Sequence, residues 1–164
     1  MQQEPILVLT TGGTIDKAYF DALSEYQIVE SGIPALIAEA RVALPFRVVE
    51  LMRKDSLELT DADRALIAAA VREAPEARVV ITHGTDTMTE TAKALSGIEG
   101  KTVVLTGALS PARFAETDAP FNLGMAFATA QTAPPGVWIA MSGQVFDGRK
   151  VRKDRAAGKF VAID

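Results

Sequence analysis

Short apolar runs, rich in β-branched residues, recur along the chain at 6–9, 46–51, 79–82, 102–105 and 137–141. Runs of that length with few polar positions predict strands covered on both faces. Between them, helix-like stretches occupy 34–42, 61–73, 86–95 and 119–130. The second is the clearest: Leu66, Ile67, Ala70 and Val71 form one apolar face, Thr60 and Asp63 make a capping pair, and Pro75 follows its end. Repeated strand–helix–strand order predicts an α/β fold with a doubly wound, mostly parallel sheet. The tail "QVFDGRKV" departs from this rhythm, because Asp147-Gly148 between apolar residues signals a C-terminal β-hairpin. No linker, repeat or low-complexity stretch interrupts the pattern, so residues 1–164 are expected to form a single domain.

Composition narrows the chemistry. With 48% hydrophobic and 23% charged residues, the chain has the make-up of a globular domain able to bury its own core. It has no cysteine, which excludes disulfides, thiol catalysis and thiolate metal sites. Nothing in it resembles a membrane span or a secretory leader, so a cytoplasmic protein without membrane contact is expected. The net charge of −4 disfavours nucleic acid as a partner. The one basic stretch, "GRKVRKDRAAGK", carries no aromatic residue for stacking on bases.

In open parallel sheets, ligands bind beyond the carboxyl ends of the strands. Four of the five predicted strands end there in polar, glycine-containing loops, "TTGGT", "THGTDT", "TGALSP" and "SGQ", and the other exits through "RKDS". Thr14, Ser56, Thr85 and Asp86 are therefore expected on one rim. The glycines of "TTGGTID" are adjacent, and Lys17 is followed by alanine, so neither a dinucleotide fingerprint nor a P-loop is present. A hydroxyl nucleophile with a lysine base oriented by a carboxylate remains available. Taken alone, Thr85 and Asp86 read first as caps of the helix that follows, since caps of these residue types are routine. His83, the sole histidine, lacks neighbours spaced for metal binding and reads as a hydrogen-bonded residue at a strand end.

"TGGTI", "THGTDTMTETA", "VVLTGA" followed by "DAPFNL", and "VFDGRKVRK" resemble, in this order, successive signatures of the bacterial L-asparaginases. The resemblance runs over essentially the whole chain but covers only that family's larger N-terminal domain, so a short single-domain form is expected. It implies hydrolysis of the side-chain amide of asparagine through a threonyl acyl-enzyme, without cofactor or metal. It further implies Thr14 as nucleophile, a Thr85–Lys153–Asp86 group, and a catalytic tyrosine on a lid after Thr14. Tyr26 has the spacing usual in long members, whereas a shortened lid favours Tyr19. "KDSLEL" resembles the loop that holds the substrate's α-carboxylate, placing Asp55 and Ser56 at the substrate, with Leu57 where a glutamine usually follows. Asp86 is implied to hold the α-ammonium. Gly13, Gly84 and Ala108 line the site, with backbone amides near Gly13, Ala108 and Thr85 as oxyanion donors.

The implied partner is a small amino-acid substrate, and a homodimer or homotetramer is expected. Two other readings stay open: an amidohydrolase acting on a different amide, which the Leu57 departure permits, and a binding protein that keeps the pocket without turnover. The stretch 17–31 is expected to act as a mobile lid.

Overall fold

The computed structural model describes residues 3–164. Its central sheet contains β1 (Ile6–Gly12), β4 (Phe46–Lys54), β5 (Arg78–Thr82), β6 (Thr102–Thr106), β7 (Gly136–Met141) and β8 (Gln144–Asp147), in the order β4-β1-β5-β6-β7-β8. All neighbours pair in parallel except β7 and β8. Successive side chains of a strand point to opposite faces, and the two cores follow from that alternation. Leu7 and Leu9 pack with α2 (Asp61–Glu73) and α3 (Met88–Leu95) on one face. Ile6 and Val8 pack with α1 (Ile33–Glu39) and α4 (Ala119–Thr132) on the other. The fold is doubly wound, as the sequence pattern predicts.

The expected capping pair forms fully. The Thr60 hydroxyl accepts from the Asp63 amide at 3.2 Å, and the Asp63 carboxylate accepts from the Thr60 amide at 2.9 Å. Among the described residues no helix is long and apolar enough to cross a membrane.

Two hairpins differ from the sequence reading. Asp147-Gly148 does not close a hairpin; it is a turn that carries the chain out of the central sheet. The hairpin closes earlier, at Ser142-Gly143, where both residues have positive φ (56° and 69°) and β8 folds back on β7. Positive φ at both central positions is what a type I′ turn requires. Past Asp147 the chain forms a separate pair, β9 (Val151–Asp154) with β10 (Lys159–Ala162). The second difference is that residues 17–28, read as lid loop, form an antiparallel hairpin of β2 (Lys17–Phe20) and β3 (Glu25–Ile28). Its strands are short and contain no buried residue, so no apolar alternation marked them in the sequence.

Chain order places the site. From β1 the chain goes outward to β4, then returns to β5 on the other side of β1. The strand order therefore reverses at β1 and β5, and the crevice outside their carboxyl ends is the switch point where such sheets bind ligands.

Candidate active site

The loops leaving β1 and β5 meet through glycine. Gly13 has φ +84°, and a side chain there would collide with the backbone of Gly84. A Cβ on Gly84 would in turn lie 2.6 Å from Cβ of Ser56. Only residues without side chains allow three backbones to approach so closely. Thr14 and Thr85 each stand one residue beyond the Gly13–Gly84 contact, so both belong to one rim. Thr14 is half-buried at the head of a short turn spanning Thr14–Asp16. Ser56 is buried beside them; its hydroxyl accepts from the Thr87 amide at 3.3 Å and its carbonyl accepts from the Thr87 hydroxyl at 2.7 Å.

Thr85 and Asp86 do not cap α3. The cap residue is Thr87, and the side chains of Thr85 and Asp86 turn instead toward Lys153. Lys153 Nζ donates to Thr85 Oγ1 at 2.8 Å and to Asp86 Oδ1 at 2.9 Å. Strand alternation explains why this lysine points inward while its neighbours do not. Val151 and Lys153 share the inner face of β9, and Phe160, paired directly with Lys153, is wholly buried in the core. Arg152 and Asp154 lie on the outer face. The hydrogen bond from Lys153, reinforced by Arg155, holds the Asp86 carboxyl below its ordinary range and so keeps it ionised.

The remaining expected residues divide. The Gly13 amide donates to the Lys54 carbonyl at 2.9 Å, so it is not free as an oxyanion donor, and Gly13 serves as a close-approach residue. Asp55 caps a short turn by accepting from the Leu57 amide at 3.1 Å, and it also pairs with Lys17 at 3.2 Å. Its carboxylate thus ties the β2–β3 hairpin to the rim. Ala108 is buried just past β6. Tyr19 and Tyr26 are register partners across the hairpin, their ring centroids 5.0 Å apart, and both are about half exposed. Tyr26 also packs on Phe114, with centroids 5.9 Å apart.

Three supporting residues escaped the sequence reading. Arg155 Nε lies 3.2 Å from Asp86 Oδ1; it stands in the turn just past β9, so no strand periodicity marked it. Buried Asp16 accepts from the Ser31 hydroxyl at 3.0 Å and the Gly32 amide at 3.1 Å, closing the base of the hairpin. Arg113 reaches the same base through the Glu30 carbonyl at 2.6 Å. Burial pushes the Asp16 carboxyl above its ordinary range.

His83 sits fully buried directly before Gly84. Its Nδ1 contacts the Gly84 carbonyl and its Nε2 the Thr91 hydroxyl, each at 2.7 Å. Both ring nitrogens are thereby engaged in holding the loop that carries Thr85. Burial lowers its pKa from 6.5 to about 4. The unfolded chain therefore takes up a proton between pH 6.5 and 4 that the folded chain does not, and stability falls as pH drops through that window. Unfolding in urea should show a loss of roughly 2 kcal/mol between pH 7 and pH 5 that is missing in His83→Gln. An equal loss in the variant would assign the pH dependence to other groups.

Among the described residues no cluster of histidine, aspartate and glutamate is grouped as a metal ion would need.

The family model described as Asparaginase, N-terminal matches residues 5–161. The L-asparaginase of Thermococcus kodakarensis is 34% identical over 163 residues, covering 93% of this chain and 48% of that protein. L-asparaginase 2 of Escherichia coli is 33% identical, covering 90% of this chain and 46% of that protein. The solved structure of the thermostable Thermococcus kodakarensis enzyme superposes with a TM-score of 0.85 at 32% identity, over 97% of this chain and 51% of that one. The chain thus spans about half the length of the relatives it matches. By sequence and by fold, it belongs to the asparaginase family and corresponds to its N-terminal domain.

Proposed function

We propose that this chain hydrolyses the side-chain amide of L-asparagine, giving L-aspartate and ammonia through an acyl-enzyme on Thr14. The observation that carries this reading is the Lys153 contact with both Thr85 and Asp86, which joins residues 68 and 67 positions apart in sequence. Neither a structural core nor a surface ion pair requires a buried threonine hydroxyl held by a lysine at the mouth of a switch-point crevice.

The chemistry runs in two balanced steps. The Thr14 hydroxyl oxygen bonds to the amide carbon, its proton passes to the departing nitrogen, and ammonia leaves an ester. Water then adds to the ester carbon, its proton returns to Thr14 oxygen, and the acid is released. A threonine hydroxyl needs a base for the first step and an acid for the leaving group. Thr85 accepts a hydrogen bond from Lys153, which leaves its own hydrogen free to point at a ligand. Asp86 fixes Lys153 and presents the negative charge that an α-ammonium would meet. Ser56 and the amides on the Thr85 side of the rim receive the α-carboxylate and the developing oxyanion.

Of the two hairpin tyrosines, Tyr26 is packed on both Tyr19 and Phe114, which favours Tyr19 for proton transfer. Tyr19→Phe should lower kcat by about 10²-fold or more, and Tyr26→Phe by less than about 5-fold. Steady-state ammonia release measures both, and the reverse ranking would move the role to Tyr26. A cytoplasmic homodimer or homotetramer belongs to the same reading. Exposed Phe20, Leu23, Tyr26 and Phe114 supply apolar surface for such contacts on the hairpin and the loop packed on it.

A further inference from the structure

Asp86 carries one negative charge and faces two cations. Lys153 Nζ at 2.9 Å and Arg155 Nε at 3.2 Å both take the same oxygen, Oδ1. The two cations are held very differently. The Lys153 side chain is 17% exposed and anchored through Thr85, whereas that of Arg155 is 65% exposed, in the turn between β9 and β10. Lys153 is thus a fixed part of the rim and Arg155 a displaceable one. The other arginines of this basic stretch are turned elsewhere: Arg149 grips Asp147, and Arg152 lies 4.0 Å from Asp154 on the outer face.

A zwitterionic substrate needs an anion for its ammonium group. The rim loops after β4 and β5 contribute the carboxylates Asp55, Glu58 and Asp86. Asp55 is engaged by Lys17 and the Leu57 amide, Glu58 is exposed, and only Asp86 shares a donor with Thr85. An incoming ammonium therefore competes for Asp86, where Arg155 already sits. Like charges brought this close repel, the more so where solvent is partly excluded. An amide with a carboxylate but no ammonium meets no such competition.

We propose that Arg155 is a selectivity residue that competes with the substrate's α-ammonium for Asp86, and that it shifts the site toward ω-amides of dicarboxylic acids lacking a free α-ammonium, such as succinamic acid. The inference rests on the proposed amidohydrolase reading, in which Asp86 faces the α-position.

The test compares L-asparagine with succinamic acid in the wild type, Arg155→Ala, Arg155→Lys and Arg152→Ala. Removing Arg155 should raise the ratio of kcat/KM for asparagine over succinamate by about 2- to 5-fold, the range of an exposed ion pair, chiefly through KM for asparagine. Arg155→Lys should stay near the wild-type ratio. Arg152→Ala removes the same charge from the outer face, so it controls for bulk attraction and should leave the ratio unchanged. A change in Arg155→Ala no larger than in Arg152→Ala would overturn the proposal. If the wild type released ammonia from neither compound, the amidohydrolase reading would fail. Calorimetric binding of L-aspartate against succinate would then decide Arg155 by itself, with the aspartate-to-succinate affinity ratio rising only in Arg155→Ala if the proposal holds and staying level if it does not.

Discussion

Thr14→Ala should abolish amide hydrolysis while leaving the fold intact. On this account the residue supplies the attacking oxygen, and removing a nucleophile that acts as a unit with its partners costs at least about 10³-fold in kcat. The structural cost is small. Thr14 is a half-buried loop residue, and its turn is held by others: the Gly13–Gly84 contact precedes it, and the Ile15 carbonyl accepts from the Ala112 amide at 3.0 Å. Substitutions of that kind shift stability by about 0.5 kcal/mol or less, a change in Tm of about 2 °C. Ammonia release and thermal unfolding on the same preparation separate the two effects. Near-normal turnover in Thr14→Ala would move the nucleophile elsewhere, with Thr85 next in line.

Lys153→Met should be almost as damaging. Methionine keeps much of the length and volume but removes the cation that joins Thr85 to Asp86. It also leaves the buried Thr85 hydroxyl without its donor, a loss of about 1–3 kcal/mol if nothing replaces it. A positioned acid–base group contributes about 10²–10⁴-fold, so kcat should fall by that much. Lys150→Met is the matched control. Lys150 is exposed in the turn before β9, and its loss should change kcat by less than about 2-fold. Equal losses from both lysines would mean that the basic stretch acts through bulk charge, and the Thr85–Lys153–Asp86 assignment would fail.

Why some of this was legible in the sequence and some was not has a physical basis. The buried strands and α2 were readable because they satisfy strong local rules: both-face burial gives continuous apolar runs, and the Thr60–Asp63 pair caps through contacts three residues apart. The rim followed from topology, since loops after parallel strands must gather at one edge. What failed was information carried by tertiary contact. Asp147-Gly148 has the composition of a hairpin turn, but the Gly148 amide is drawn to the Val137 carbonyl at 2.9 Å and the chain leaves the sheet. Ser142-Gly143, read in the sequence only as a loop at a strand end, made the turn instead. The β2–β3 hairpin is held at its base by buried Asp16 with Ser31 and Gly32, and by Arg113 from 83 residues beyond Glu30; none of these spacings signals a strand.

The site divides in the same way. Motif likeness drew Thr14, Thr85, Asp86 and Lys153 together. The geometry then removed the capping reading for Thr85 and Asp86, because Thr87 occupies the cap position and Lys153 claims the other two side chains. Asp55 illustrates the opposite case. It lies in the expected loop, yet its carboxylate is committed to Lys17 and to the Leu57 amide, which makes it a strap between hairpin and rim. Arg155 was invisible as a site residue because the chain beyond Lys153 reads as solvated basic surface until β9 and β10 fold against the core through Phe160.

The most direct test of the central claim is ammonia release from L-asparagine by the purified chain, measured against the Thr14→Ala protein as background and with L-glutamine and D-asparagine alongside. The account predicts release from L-asparagine far above that background, in one-to-one proportion with aspartate formed. Release no greater than that of Thr14→Ala, with a folded protein in the cuvette, would contradict it.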